Sequence, residues 1–137
     1  MKKLAVIVTR GSYNNLLQAC EFVRIAASAG MQVSVLFRDE AAAKLTSDRV
    51  KTLVFSDAYK GRESRAREIL RERKRDDLAA ILREIKEQGD VKWSVCRDSI
   101  ELFELKVDQL IPELDEVQKA EAFWKEEVAQ ADRVLTF

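Results

Sequence analysis

Leu4-Ala5-Val6-Ile7-Val8 is an unbroken β-prone apolar run, closed by the polar turn Thr9-Arg10-Gly11. A strand without alternating polar residues has no face to give to water, so it must be covered on both sides, as in a parallel sheet between helical layers. The pattern recurs. Val33 to Phe37 and Val91 to Cys96 read as further buried strands, Val117 marks a short one, and Arg133 to Phe137 closes the chain as another. Helical segments separate these runs. After Ser12-Tyr13-Asn14-Asn15, the apolar residues Leu16, Leu17, Cys20, Val23 and Ala27 recur at helical spacing, and Gly30 is placed for a C-terminal cap. Asn15 and Gln18 have the spacing of a capping box. Ala41 to Ala43 predict a short helix, whereas Val50 to Phe55 fits a strand or a helical turn equally well. Arg62 to Gln88 has almost no breakers and an apolar stripe through Ala66, Ile69, Leu70, Leu78, Ile81, Leu82 and Ile85, which predicts one long helix or two in succession. Asp98 to Leu105 and Lys119 to Ala131 predict two more helices, the latter carrying Phe123, Trp124 and Val128, and Pro112 falls between elements. Strands and helices alternating in this way predict a three-layer α/β sandwich with right-handed crossovers and a mainly parallel central sheet of about five strands.

Two segments share a layout. Gly30 to Asp39 and Gly89 to Asp98 each run from a glycine through a strand into Arg-Asp. In successive βα units the glycine closes one helix and the aspartate is placed to cap the next.

A chain of 137 residues suits a single domain spanning residues 1–137. Its 24 basic residues cancel its 24 acidic ones, leaving no broad field to attract nucleic acid or an anionic membrane, and neither partner is expected. The apolar run after Lys2-Lys3 is too short for a signal peptide, and no stretch approaches the ~20 apolar residues that span a bilayer. A cytoplasmic location follows, in which Cys20 and Cys96 remain reduced thiols. Histidine is absent from the chain. Catalytic triads, Cys-His pairs and histidine metal clusters are thereby excluded, and two distant cysteines make no structural zinc site. No metal or cofactor is implied.

Cys96 is the strongest candidate for chemistry. It ends a strand and precedes Arg97-Asp98-Ser99-Ile100-Glu101, in which Asp98 and Glu101 have capping-box spacing, so it faces a helix start at the carboxyl edge of the sheet, where such folds bind ligands. Helix amides and Arg97 favour the thiolate, the dipole contributing about 0.5 to 2 kcal/mol against a free pKa of about 8.5. Asp98 opposes them. Ser99, three residues on, is spaced to bring its hydroxyl to the sulfur. A simply packed cysteine satisfies the same pattern. Cys20, on the apolar face of the first helix, reads as core.

The loop Thr9-Arg10-Gly11-Ser12-Tyr13-Asn14-Asn15 offers amides and side chains for an anion, with Thr9, Arg10, Tyr13 and Asn14 as pocket candidates beside Cys96. It carries no dinucleotide or P-loop glycine pattern, and ordinary capping accounts for it too. Arg62, Arg65, Arg67, Arg71, Arg73, Lys74 and Arg75 alternate with Glu63, Glu68, Glu72, Asp76 and Asp77, the mark of a solvated face that can also dock a protein. Glu113, Asp115 and Glu116 lack further ligands for a metal and read as solvated. Response-regulator chemistry is excluded because Thr9-Arg10 stand where its carboxylates belong.

Four features together resemble the DsrE/DsrF-like proteins, relatives of the TusD sulfur-relay subunits. They are the opening strand with its polar loop, the segment Val95-Cys96-Arg97-Asp98-Ser99-Ile100-Glu101-Leu102, the element Asp108-Gln109-Leu110-Ile111-Pro112-Glu113, and the ending Ala131-Asp132-Arg133-Val134-Leu135-Thr136-Phe137. The resemblance spans nearly the whole chain. It implies a flavodoxin-like sandwich, assembly into homo-oligomers or hetero-oligomers with related subunits, and sulfur carried as a persulfide on Cys96. It further implies a donor protein and an acceptor such as a TusA-like carrier, with Arg97 and Ser99 supporting the sulfur. The charged Arg62 to Gln88 segment departs from the more apolar stretch of several relatives. The competing expectations are a small-anion-binding module and a non-catalytic scaffold subunit of the same fold.

Overall fold

The computed structural model describes residues 2–137. Its centre is a sheet of five strands: β1 (Lys3–Val8), β2 (Gln32–Phe37), β3 (Val91–Cys96), β4 (Glu116–Gln118) and β5 (Arg133–Thr136). All pairs are parallel and the order across the sheet is β4-β3-β2-β1-β5. The strands advance one way from β1 to β4, and the last crosses back to the far side of β1. Because parallel crossovers are right-handed, that reversal sends the last connecting helix to the opposite face from the others.

The two faces are unequal. Leu4, Val6 and Val8 of β1, Val33, Val35 and Phe37 of β2, and Val91 and Trp93 of β3 turn toward helices α1 (Tyr13–Ser28) and α4 (Leu78–Gln88) in the main core. Trp93 stacks on Phe37 at 5.8 Å between centroids and donates its indole N–H to the Leu82 carbonyl at 3.1 Å. On the other face Ala5, Leu36 and Cys96 meet Phe123, with Ile7, Val128 and Ala131 against them. That layer is one short helical segment, a turn of α-helix (α6, Ala120–Phe123) running into a π-helical turn over Trp124–Val128. The remaining helices are α2 (Asp39–Ala43), α3 (Glu63–Glu72) and α5 (Arg97–Leu102). A small third cluster of Ala42, Val95 and Ile100 joins α2 and α5 at the carboxyl end of the sheet.

The helix boundaries follow backbone chemistry. α1 ends in a Schellman motif: Met31 N–H bonds the Ala26 carbonyl at 3.1 Å and Gly30 N–H bonds that of Ala27 at 3.0 Å, with Gly30 at φ 86°. The Arg62 to Gln88 segment is two helices, divided by the same motif, but Lys74 takes the left-handed position at φ 56°. At the other end of α1 the cap is Ser12, and Asn15, anticipated as a capping residue, lies buried inside the helix donating to the Arg10 carbonyl at 2.9 Å. In α5 likewise Cys96 holds the cap position rather than Asp98, which lies within the first turn.

Gly89 sits where α1 and α4 close on each other. A Cβ there would lie 2.7 Å from the Ala27 methyl, although its φ of −160° suits any residue. Gly89→Ala should therefore cost about 1 to 3 kcal/mol purely by overpacking, read as a lower urea midpoint at unchanged slope. No helix is long and apolar enough to cross a membrane among the described residues.

Candidate functional site

Cys96 ends β3 and caps α5, so its sulfur stands at the carboxyl edge of the sheet with the first-turn amides ahead of it. The residue is 0% exposed. Burial pushes its thiol pKa up, but donation from the Ser99 amide, the Arg38 side chain, the Ser99 hydroxyl and the Asp98 amide outweighs burial and holds it below the ordinary cysteine value. The Ser99 hydroxyl can donate because its oxygen is already an acceptor, receiving the Asp39 amide at 2.7 Å. That bond ties the start of α2 to the first turn of α5 and fixes Asp39 in the left-handed region at φ 50°. A non-glycine residue held there marks a turn whose geometry its surroundings impose.

Arg38 comes alongside Cys96 from the neighbouring strand. Phe37 pairs with Val95, and one residue further the register sets Arg38 beside Cys96 on the same face of the sheet. Arg97, the expected cation, instead turns to solvent as the first residue of α5. The family pattern around Cys96 concealed this exchange, yet the duplicated Arg-Asp layout had carried the signal: Arg38 and Arg97 occupy equivalent strand exits, and only Arg38 points inward.

The DsrE/DsrF-like family model matches residues 2–137. The chain belongs to the DsrE/DsrF-like family. No curated protein is matched by the sequence. Among solved structures it is similar to a protein of unknown function, MTH1491 from Methanobacterium thermoautotrophicum, with TM-score 0.67 and 12% identity over 98% of this chain and 99% of that one. At that identity the likeness concerns the fold alone, which agrees with the flavodoxin-like sandwich expected from the sequence.

In this DsrE/DsrF-like chain the loop after β1 does not converge on Cys96. Thr9 bonds the Phe137 carbonyl through its amide at 2.8 Å and its hydroxyl at 3.3 Å, on the β5 side of the sheet. Arg10 reaches Asn15 at 3.4 Å. Tyr13 belongs to the main core on the opposite face, donating its hydroxyl to the Arg75 carbonyl at 2.6 Å, and burial pushes its phenol up. Asn14 pins the following loop, donating to the Ser56 hydroxyl at 3.1 Å and accepting the Ser56 amide at 3.0 Å. The reason is register: β1 and β3 are separated by β2, so a loop leaving β1 starts about 10 Å from Cys96.

The same loop does border a cleft of about 550 Å³, lined by Gly11, Ser12, Lys44, Arg49, Val54 and Phe103 among others. α2 presents Glu40, Ala43 and Lys44 to it and turns Ala42 toward Val95, so the cleft lies across α2 from the cysteine. Cys20 is core as expected, its thiol pushed up to about 12 by burial against the opposing pull of Arg75. The acidic group is ion-paired rather than free: Glu113 meets Arg83 and Glu116 meets Lys92, each at 3.0 Å, while Asp115 pairs with Lys86 and accepts the Trp93 amide. No group of residues fit to hold a metal occurs among the described residues. The charged run on α3 faces solvent, with Arg65 paired to Glu68 and Arg67 lying over Phe55.

Proposed function

We propose that this chain carries sulfur as a persulfide on Cys96, receiving it from a donor and passing it to an acceptor thiol, as a carrier or sulfurtransferase of a reducing cytoplasm. The observation that supports this most is the placement of one buried sulfur at the first turn of α5, with its thiol held below the ordinary cysteine value. Attack on sulfane sulfur needs a thiolate, and a thiol pKa held below the ordinary value enlarges the thiolate fraction. The chemistry asks for no histidine and no metal. Cys20, with its raised pKa and core position, is poorly suited to the same step.

Burial sets the terms of exchange. Cys96 is 0% exposed beneath α6, so transfer requires a local opening of that segment, which a docked donor or acceptor would favour. A TusA-like carrier is the acceptor we favour, within an oligomer of this chain or of related subunits. Trp124, 62% exposed on the π-helical turn covering the site, offers such a partner an aromatic anchor.

Intact mass after brief polysulfide exposure tests the assignment. Wild type and Cys20→Ser should gain one sulfur atom and Cys96→Ser none. A gain that persists in Cys96→Ser would sink it. A second function, binding of a small anion, is favoured by the cleft holding Lys44, Arg49 and the uncapping Ser12 hydroxyl. It survives Cys96→Ser intact, which separates the two.

A further inference from the structure

The buried side-chain nitrogen and oxygen atoms that lack a hydrogen-bond partner among the described residues are Arg38 Nε, Ser94 Oγ and Gln118 Oε1. All three belong to residues flanking Cys96 on one face of the sheet. Arg38 follows the Phe37 to Val95 pairing on β2, Ser94 is two residues before Cys96 on β3, and Gln118 is its register partner on β4. Residues paired in register, or two apart on a strand, share a face. Ser94 is 0% exposed and Gln118 6%, so water outside the protein does not serve them. Gln118 cannot relieve its oxygen by turning its amide, because its nitrogen already donates to Glu126 at 3.0 Å. Buried polar atoms are nearly always paired, and three unpaired ones around one thiol point to an occupant.

We propose that this ring is the seat of a second sulfur atom, with Arg38 Nε–H and Ser94 Oγ–H donating to the terminal sulfur of a Cys96 persulfide. The proposal rests on the sulfur-carrying function above and extends it to the form of the cargo. In the loading step the Cys96 thiolate forms a bond to the outer sulfur of a donor persulfide, R–S–SH. The inner S–S bond of the donor breaks, R–S⁻ departs with the electron pair, and it takes up the proton that the more acidic Cys96 persulfide releases. The new charge then lies on the terminal sulfur, beside the Arg38 Nε–H and the Ser94 Oγ–H, which have no partner among the described residues of the unloaded protein. Gln118 Oε1, an acceptor only, serves the protonated form. Because Cys96 is 0% exposed, it should accept single sulfurs in preference to bulky disulfide adducts such as glutathione.

Ser94→Ala and Arg38→Lys, loaded with polysulfide and then freed of reagent, test the ring. Each should shorten the persulfide lifetime toward cyanide about tenfold, as removal of one charge-assisted hydrogen bond does. Unloaded Ser94→Ala should melt ~3 °C higher than wild type, since it discards a buried hydroxyl with nothing to bond. If Ser94→Ala loads and holds sulfur with the wild-type lifetime, or melts lower, the ring is not the sulfur seat, and Cys96 remains the carrier. If wild type takes no sulfur on Cys96 although bromobimane alkylates that thiol, the sulfur-carrying function fails and the ring falls with it.

Discussion

Phe123→Ala is expected to lower stability by about 3 to 4 kcal/mol and to speed alkylation of Cys96 about tenfold or more. Phe123 is 1% exposed and is the one aromatic side chain in the cluster that covers the thiol. Beneath it lie Ala5, Leu36 and Cys96. Two of these are small, and strand backbone cannot collapse into the void, so the cavity persists and its full cost is felt. The main core is different: there two long helices pack side by side, and losing one contact leaves many. A single helical turn followed by a π-helical turn has little propensity of its own to remain in place, and its hold on the sheet is largely this side chain. Phe22→Ala, an equally large truncation on the half-exposed outer side of α1, supplies the control and should change Cys96 reactivity little. Unchanged alkylation in Phe123→Ala, despite lost stability, would show that the thiol is reached by another route.

The sandwich was legible because its strands are written as unbroken apolar runs. Leu4 to Val8, Val33 to Phe37 and Val91 to Cys96 have no polar face, and buried parallel strands follow from that alone. What the sequence concealed lay where backbone conformation departs from residue preference. Lys74 ends α3 in a left-handed conformation that normally signals itself by glycine, so one helix could not be told from two. Glu104 does the same after α5 at φ 53°, shortening a helix expected to reach Leu105. The helix over Lys119 to Ala131 was legible as amphipathic, but its π-helical turn was not, since a widened turn leaves no mark in hydrophobic spacing.

The site was legible along the chain and illegible across it. Cys96 and Ser99 are neighbours in sequence, and their spacing told of a thiol at a helix start. Arg38 and Gln118 come to Cys96 only through the register of β2 and β4, which one sequence does not specify. Arg97 stood closer in sequence and was the natural choice of cation. The pleat decides otherwise: Arg38 follows its strand on the face of Cys96, while Arg97 has already entered the helix.

Glu127 carries the second large effect, because it is a carboxylate on the thinly covered face with three partners on three strands of the sheet. Its side chain, 9% exposed, bonds the Ser34 hydroxyl on β2, Lys92 on β3 at 3.0 Å and Lys3 on β1 at 3.2 Å. Burial pushes its pKa up, but the hydrogen bonds from Ser34, Lys92 and Lys3 prevail and hold it below the ordinary carboxylate range. These contacts fasten the π-helical turn across three strands. Glu127→Ala should cost about 2 kcal/mol at neutral pH, less than for a fully buried pair because Lys3 and Lys92 are 17% and 34% exposed and regain water. The pH dependence has a definite sign. With the folded value below the unfolded one of about 4.3, the stabilisation is complete above that pH and is lost as pH falls through the folded value. Glu127→Gln keeps the shape and removes the titration, so its stability should fall less steeply than that of wild type in acid. Cys96 lies under the same segment, and in wild type its alkylation at a fixed thiolate fraction should quicken on acidification as the fastening is protonated. A parallel acid limb in wild type and Glu127→Gln would mean that apolar packing at Phe123 alone holds the cover in place.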